Sequence, residues 1–266
     1  MSRRRFQIFF AYSRGNREEI PRWGRPAAVL CVALLLALVF TFAFSRLRYG
    51  WNWGAVWAYR RMFVAGWLVT LALSAASLAA SLAIGLCTAI AQRSTFLPLR
   101  YLGKIYVELI RGTPLLVQIL VFFYVVADAF GIANRYLVGT LTLALFAGAY
   151  IGEIVRAGIE SVGESQLESA RAIGLTRRQS YRYVVFPQVM RRILPPLAGQ
   201  FASLIKDSSL LSIIAVNEFT LNAQEVNAFT YSTMESYLPL ALGYLALTLP
   251  ISMLSKYLEE RYRYAS

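Results

Sequence analysis

The sequence contains no histidine and only two cysteines among its 266 residues. Histidine is the usual metal ligand and the usual general base near neutral pH, so its absence counts against a metal centre and against acid–base catalysis. Cys31 and Cys87 both lie inside apolar runs, which leaves no disulfide framework. A Gly-x-Ser-x-Gly nucleophile elbow is also absent. Together these absences argue strongly against an enzyme.

A nucleotide-binding P-loop is missing as well. The only Gly-Lys pair, Gly103-Lys104, lacks the earlier glycine of the Gly-x-x-x-x-Gly-Lys-[Ser/Thr] pattern. The chain therefore does not bind ATP in the P-loop manner. If ATP hydrolysis drives its activity, the ATP must be bound by another polypeptide.

Long uncharged runs dominate what is present. Apolar residues make up 58% of the chain, against about 45–50% in an average soluble domain. About 20 apolar residues in a helix cross the hydrocarbon core of a bilayer, which is roughly 30 Å thick. Four uncharged runs and two apolar segments with a few charges therefore predict six membrane spans. The predicted spans are residues 27–44, 62–92, 105–127, 137–152, 195–216 and 236–255.

The formal net charge of +13 is distributed in a way that orients the chain. With six spans both termini lie on one side of the membrane, and the segments on that side hold 20 of the 27 Lys and Arg residues. The loops on the other side hold five. This asymmetry follows the positive-inside rule and predicts that both termini are cytoplasmic. The basic character therefore reflects membrane topology and does not indicate a nucleic-acid site.

The chain divides into two predicted parts. Residues 1–61 comprise a polar, arginine-rich leader, the first span and an aromatic interfacial segment. We expect the leader to lie on the membrane surface or to be disordered. Residues 62–266 form the main transmembrane domain. We expect the first span to be retained rather than cleaved as a signal peptide, because its arginine-rich leader and its apolar core are both long for that purpose.

Two of the spans carry features that a plain membrane helix lacks. In the third span, Pro114 removes a backbone donor and disfavours helical geometry at Thr113, which predicts a break or kink. The fifth span begins at Pro195-Pro196 and then runs into Lys206-Asp207. A charged pair at that depth is expensive in a bilayer, which predicts mutual pairing or a polar cavity.

Residues 157–194 form the longest polar stretch between spans, and its capping signals predict two short helices. Capping-box candidates at 161–164 and 165–168 start the first helix, and Gly174 supplies a left-handed stop. A further capping box, Thr176-Arg-Arg-Gln179, starts the second helix, which we expect to end before Phe186-Pro187. The predicted hairpin is fixed at both ends to membrane spans. Such a segment can pass a displacement from a cytoplasmic partner to the spans, although an ordinary helical connection has the same pattern.

The hairpin resembles the EAA signature of ABC-importer permeases. Glu168-Ser-Ala170, Gly174 and Val184-x-Phe186-Pro187 match the spacing of that signature throughout, with Ser169 in place of its middle alanine. Three further segments resemble the branch of the family that carries polar amino acids (His/Glu/Gln/Arg/opine). They are ELIRGTPLLVQ at 108–118, AYIGEIVRAG at 149–158 and KDSSL at 206–210. The resemblance covers about residues 62–260.

This resemblance implies an all-α membrane protein with six transmembrane helices. Five helices would form a type I ABC importer core, preceded by one N-terminal helix, with the cytoplasmic hairpin as the coupling segment. The implied partners are an ABC ATPase dimer that binds the ATP, a second permease chain (identical or paralogous), and a periplasmic or lipid-anchored solute-binding protein. The chain would lie in the bacterial inner membrane, surrounded by lipid, and would import an amino acid.

The resemblance also directs attention to particular residues. On the hairpin, the candidates for coupling to the ATPase are Glu168, Ser169, Ala170, Arg171, Gly174 and Arg177. Along the substrate path, the candidates are the charged residues within or next to spans, since an amino acid zwitterion needs a partner of each sign: Lys206, Asp207, Arg111 and Glu153. The last two also have structural partners three residues away, in Glu108 and Arg156.

One other class of function explains part of the pattern. An ion-coupled secondary amino acid transporter would account for the broken third span and for charges inside the membrane. It would leave the cytoplasmic hairpin without a role. The two hypotheses differ in whether a separate ATPase is required.

Overall fold

A computed structural model of the chain describes residues 12–14, 17–19, 24–46 and 49–263. These residues fall into two compact units, which are Met1–Trp51 and Asn52–Ser266. The division of the chain into 1–61 and 62–266 stays a prediction.

In the first unit, strand β1 (Tyr12–Arg14) pairs with strand β2 (Arg17–Glu19) in an antiparallel hairpin. Helix α1 (Gly24–Arg46) follows and contains the first predicted span. The described part of the leader is therefore this short hairpin. The rest of the predicted leader before α1 lies outside the described residues.

In the second unit, every described element of secondary structure is a helix. Its helices are α2 (Trp53–Ala58), α3 (Arg60–Gln92), α4 (Leu97–Gly112), α5 (Leu115–Val121, extended by a π-helical turn Phe122–Ala127), α6 (Arg135–Glu160), α7 (Glu164–Ala172), α8 (Arg177–Ser180, extended by a π-helical turn Tyr181–Val185), α9 (Phe186–Asp207, followed by a 3-10 helix Ser208–Ile214), α10 (Phe219–Thr230) and α11 (Thr233–Arg263).

Four of the described helices are long and apolar enough to cross a membrane: α1 from Pro26, α3, α6 and α11 to Tyr262. The pair α4 and α5 passes the same test together and is bent by 109°, so it forms a fifth span if the two halves are counted as one. The remaining predicted span, residues 195–216, falls on α9 and its 3-10 extension, which are not among the helices that pass this test. Apart from the short β1–β2 hairpin, the described residues thus form an all-α membrane fold.

Helices α3 and α6 pack closely because small residues face each other. A Cβ atom placed on Gly85 would lie 2.5 Å from Ile151 Cγ2 and 3.1 Å from the Gly148 carbonyl oxygen, so only glycine fits there. Ser77 donates from its hydroxyl to the Thr140 carbonyl at 3.2 Å. Ser77, Ser81 and Gly85 form a stripe of small buried residues at four-residue spacing in α3. This small-residue stripe is a helix-packing surface, as small residues are in membrane bundles.

The end of the hairpin and the start of the fifth span differ from the prediction. The second hairpin helix continues through a π-helical turn into α9, with Pro187 in the first turn of α9, where a missing N–H is tolerated. The two prolines at 195–196 therefore lie inside α9 instead of beginning a helix. Tertiary packing explains the difference: Val189 and Ile193, one turn apart on α9, pack with the end of α6 and hold the helix together ahead of these prolines.

Candidate functional site

The hairpin formed by α7 and α8 is attached firmly at its base. Val162 before α7 and Val185 after α8 are buried in one apolar cluster with Val155 of α6 and Ile193 of α9. The Arg192 guanidinium also donates a hydrogen bond to the Ser161 carbonyl. Both ends of the hairpin are therefore fixed to α6 and α9, as the sequence predicts.

The turn of the hairpin has a defined geometry. Gly174 has φ of +83°, in the left-handed region that favours glycine. Its N–H donates to the Arg171 carbonyl at 2.9 Å, and the N–H of Leu175 donates to the Ala170 carbonyl at 3.0 Å. These two bonds are those of a Schellman motif, which satisfies the free carbonyls at the end of α7. Gly174 is thus the helix stop predicted from the sequence.

The start of α8 also follows the sequence pattern. The Gln179 N–H donates to Thr176 Oγ1 at 3.4 Å, and the Thr176 N–H donates to Gln179 Oε1 at 2.9 Å, which is a complete capping box. The capping boxes predicted at 161–164 and 165–168 are absent, because α7 begins at Glu164 and Gly163 caps it without a side-chain hydrogen bond. Hydrogen bonds therefore fix the backbone geometry of the turn on both sides of Gly174.

The candidate coupling residues differ in exposure. Ala170 is buried at 3% exposure, so it packs inside the hairpin. The other candidates are exposed: Glu168, Ser169, Arg171, Gly174 and Arg177. The structure also reveals a residue that sequence reasoning missed, Ile173, which is 76% exposed at the tip. Its signal in the sequence is an isoleucine next to the glycine of the turn in an otherwise polar segment.

The break in the third predicted span is present at Thr113 and Pro114. Thr113 has extended backbone with ψ of 147°, and α4 and α5 meet there at 109°. The Gln118 side chain bridges the break, since its Nε2 donates to the Ile110 carbonyl at 2.7 Å and to the Thr113 carbonyl at 3.1 Å. Thr113 Oγ1 donates to the Leu109 carbonyl at 2.9 Å. Protein groups thus satisfy backbone acceptors that a membrane interior would otherwise leave unpaired.

Two of the four substrate-path candidates lie together. Arg111 of α4 reaches Glu153 of α6 at 3.4 Å, so its partner is not Glu108 on its own helix. Glu153 also accepts two hydrogen bonds from Arg156, at 2.8 and 2.9 Å. Arg156 continues the chain to Glu160 at 2.7 Å. These residues form an ionic network between α4 and α6, so both candidates have structural partners.

Lys206 and Asp207 occupy the end of α9. Lys206 is exposed and Asp207 is half-buried. Within the described residues they do not form an ion pair with each other or with Arg111 and Glu153, so the predicted mutual pairing is absent. Ser209 donates from its hydroxyl to the Lys206 carbonyl at 2.6 Å, where the helix tightens into its 3-10 extension.

A second polar cluster surrounds Glu218, which sequence reasoning missed. Glu218 is fully buried and caps α10, accepting from the Leu221 N–H at 2.8 Å. Its other oxygen accepts from the Tyr244 hydroxyl at 2.9 Å and from Thr70 Oγ1 at 3.4 Å. Burial raises the pKa of the Glu218 carboxyl, and the hydrogen bonds oppose that shift. In the sequence, Glu218 is the first acidic residue after Asp207, three residues before the N–H that it caps.

Comparison with known proteins shows the family. Residues 81–264 match the family described as binding-protein-dependent transport system inner membrane component. A probable glutamine ABC transporter permease protein of Bacillus subtilis (strain 168) is 37% identical over 200 residues, covering 75% of this chain and 93% of that protein. A glutamine transport system permease protein of Escherichia coli (strain K12) is 34% identical over 212 residues, covering 79% and 97%.

Solved structures agree with this. A crystal structure of an amino acid ABC transporter with histidines contains a chain that is 33% identical, with a TM-score of 0.74, covering 80% of this chain and 100% of that one. An inward-facing MetNI methionine ABC transporter has the same fold, with a TM-score of 0.64 at 17% identity over 76% of this chain. The match over most of the length, together with the EAA hairpin, identifies this chain as a member of the family of binding-protein-dependent transport system inner membrane components, the permease subunits of ABC importers.

Proposed function

We propose that the chain forms the membrane pathway through which a polar amino acid, delivered by an extracytoplasmic binding protein, is imported at the expense of ATP. The two permeases described above are named for glutamine transport, and another from Bacillus subtilis (strain 168), 37% identical over 194 residues, is named an L-cystine transport system permease protein. These names support an amino acid substrate with a polar side chain.

The observation that carries the proposal is the hydrogen-bonded turn of the hairpin and its buried base. Its helix stop at Gly174 and its capping box at Thr176 hold an exposed tip, while its base is buried against α6 and α9. A partner that binds the tip and changes position would therefore move both α6 and α9. We propose that this partner is an ABC ATPase subunit, contacted by Glu168, Arg171, Ile173 and Arg177.

Several features of the assembly follow from this proposal. The hairpin would lie in the cytoplasm with both termini, in agreement with the excess of Lys and Arg on that side. Two permease chains, identical or paralogous, would flank the pathway and rest on an ATPase dimer. ATP would be bound by that dimer, because this sequence has no P-loop.

For the substrate path, we favour Lys206 and Asp207 over the other pair. They offer one charge of each sign at the point where α9 changes to a 3-10 helix, and no described side chain pairs with them. Arg111 and Glu153 already satisfy each other within the network that includes Arg156. We therefore expect these two to stabilise the structure first, and to contact substrate only when the network opens.

The alternative of an ion-coupled secondary transporter is not favoured. The broken third span, which suggested it, is bridged by Gln118 within the protein. The hairpin would have no role in such a carrier.

The deciding experiment is uptake of radiolabelled glutamine and other polar amino acids into proteoliposomes. We expect uptake only when the chain is reconstituted with its ATPase, a binding protein and ATP. Vesicles that contain the chain alone, with a proton or sodium gradient, provide the control. Gradient-driven uptake by the chain alone would overturn the proposal.

A further inference from the structure

The described residues line an open polar cavity of about 820 Å³ between α3, α4 and α6. Its charged lining consists of the cations Arg93, Arg100, Lys104, Arg111 and Arg156 and the carboxylates Glu108, Glu153 and Glu160. We refer to it as the rim cavity. Cations outnumber carboxylates, so the rim cavity attracts an anion.

Some cations of the rim cavity are paired with carboxylates and others are not. Glu153 and Glu160 hold Arg93, Arg111 and Arg156 in ion pairs. No carboxylate among the described residues lies within 4.0 Å of the side-chain nitrogens of Arg100 or Lys104. In addition, Arg100 Nε is buried without a hydrogen-bond partner. A buried donor without an acceptor is costly, so a ligand that brings anionic oxygens to it would be stabilised.

The position of the rim cavity indicates where such a ligand comes from. Arg93 directly follows α3, Glu160 is the last residue of α6, and Arg100 lies in the first turn of α4. Helix α3 has 33 residues, about 50 Å at 1.5 Å each, and so extends beyond the hydrocarbon core of roughly 30 Å. Its end at the rim cavity therefore lies at the depth of lipid headgroups.

Helix α4 presents two different faces beside each other at that depth. Arg100, Lys104 and Glu108 form a stripe at four-residue spacing that lines the rim cavity. At 100° per residue, this stripe lies next to a face of exposed apolar residues that includes Ile105 at 52% and Leu109 at 62% exposure. A phospholipid matches both faces, with its phosphate beside the two cations and its acyl chains along the apolar face.

We propose that the rim cavity binds the phosphate of an anionic phospholipid through Arg100 and Lys104. The site is separate from the coupling hairpin and from Lys206 and Asp207. A lipid bound there would fix the break between α4 and α5 relative to the membrane surface, because α4 runs from the rim cavity to that break.

The test is native mass spectrometry of the full chain titrated with phosphatidylglycerol or phosphatidylcholine. The double variant Arg100→Gln with Lys104→Gln should bind phosphatidylglycerol about thirtyfold more weakly, since each basic residue near a membrane surface contributes about a fivefold factor. Phosphatidylcholine binding should change little. The conservative variant Arg100→Lys with Lys104→Arg should retain most of the binding, which guards against a simple folding defect.

A matched control removes two cations elsewhere. Lys256→Gln with Arg261→Gln has the same loss of charge on α11, and should leave phosphatidylglycerol binding unchanged. Equal weakening in this control would overturn the site in favour of general surface attraction. Inorganic phosphate is the second probe: if it binds the wild-type chain and displaces phosphatidylglycerol, the ligand is a free phosphate and the lipid proposal is wrong.

Discussion

Two groups of carboxylates from other segments lie beside helix α3, and the protein holds them in opposite ways. Near Thr70, Glu218 is fully buried and is fixed by hydrogen bonds from α3, α10 and α11. At Gln92, about 33 Å further along the helix, Glu153 and Glu160 are partly exposed at 22% and 48% and are held by arginines. We call these the Glu218 end and the hairpin end, since α7 follows Glu160 directly.

The difference in burial determines what each end contributes. Exposed ion pairs add about 0–1 kcal/mol to stability, because water and salt screen them. When a buried carboxylate is removed, the donors that were bonded to it are left unsatisfied, at a cost of about 1–3 kcal/mol each. The Glu218 end is therefore suited to hold the helices in place. The hairpin end is suited to rearrange when a partner acts on it.

The largest effect is expected from Glu218→Leu. This change removes the acceptor of the Leu221 N–H and one of the two hydrogen-bond partners of the Tyr244 hydroxyl, which also contacts Thr220 Oγ1 at 3.0 Å. We expect the free energy of unfolding to fall by about 3 kcal/mol, measured by denaturant unfolding of the purified chain in detergent. Glu225→Gln is the matched control, because Glu225 makes only a 3.4 Å contact with Asn217. A loss below about 0.5 kcal/mol for Glu218→Leu would remove the contrast between the two ends.

A smaller effect is expected from Glu153→Gln at the hairpin end. The change weakens the bonds to Arg111 and Arg156, which are partly exposed. We expect a loss of about 1 kcal/mol, and less at high salt because ions screen the network. The same unfolding assay at low and at 1 M salt measures both quantities. If the loss exceeds that of Glu218→Leu, or does not respond to salt, the account of the hairpin end is wrong.

The smallest effect on stability is expected for Gly174→Asn, together with a large effect on transport. No described atom lies within 4 Å of a Cβ placed there, but its φ of +83° strains an alanine. Asparagine tolerates this backbone better while adding more bulk at the tip. Gly174→Ala should therefore lose about 1 kcal/mol of stability and keep most ATP-driven uptake. Gly174→Asn should stay nearly as stable as the unchanged chain and lose most of its ATP-driven uptake.

Unfolding and proteoliposome uptake of the two variants give the comparison. The reverse order, with alanine the more damaging to uptake, would mean that Gly174 acts only through the shape of the turn.

Much of this arrangement could be predicted from local sequence patterns. The turn at Gly174, the capping box at Thr176 and the break at Pro114 depend on a few neighbouring residues, and each is found where the sequence places it. The small-residue stripe in α3 likewise predicts close packing, and Gly85 provides it.

What could not be predicted depends on contacts between distant segments. The helix that was expected to end before Pro187 continues into α9 because Val189 and Ile193 pack against the end of α6. Arg111 pairs with Glu153, 42 residues away, although Glu108 is the nearer residue in sequence. Glu218 meets Thr70 from 148 residues away. Local sequence patterns do not predict these pairings, since the pairings depend on how whole helices pack.

Cross-linking tests the central claim, that the hairpin tip contacts an ATPase, most directly. Ile173 at the tip and Phe130 between α5 and α6 are both 76% exposed, so they form a matched pair. Each is replaced by cysteine in a chain whose Cys31 and Cys87 have been changed to alanine, and the chain is purified with its co-expressed ATPase. With a short thiol-to-amine cross-linker, Ile173→Cys should link to the ATPase and Phe130→Cys should not. Linking at Phe130 alone, or equally at both positions, would contradict the account.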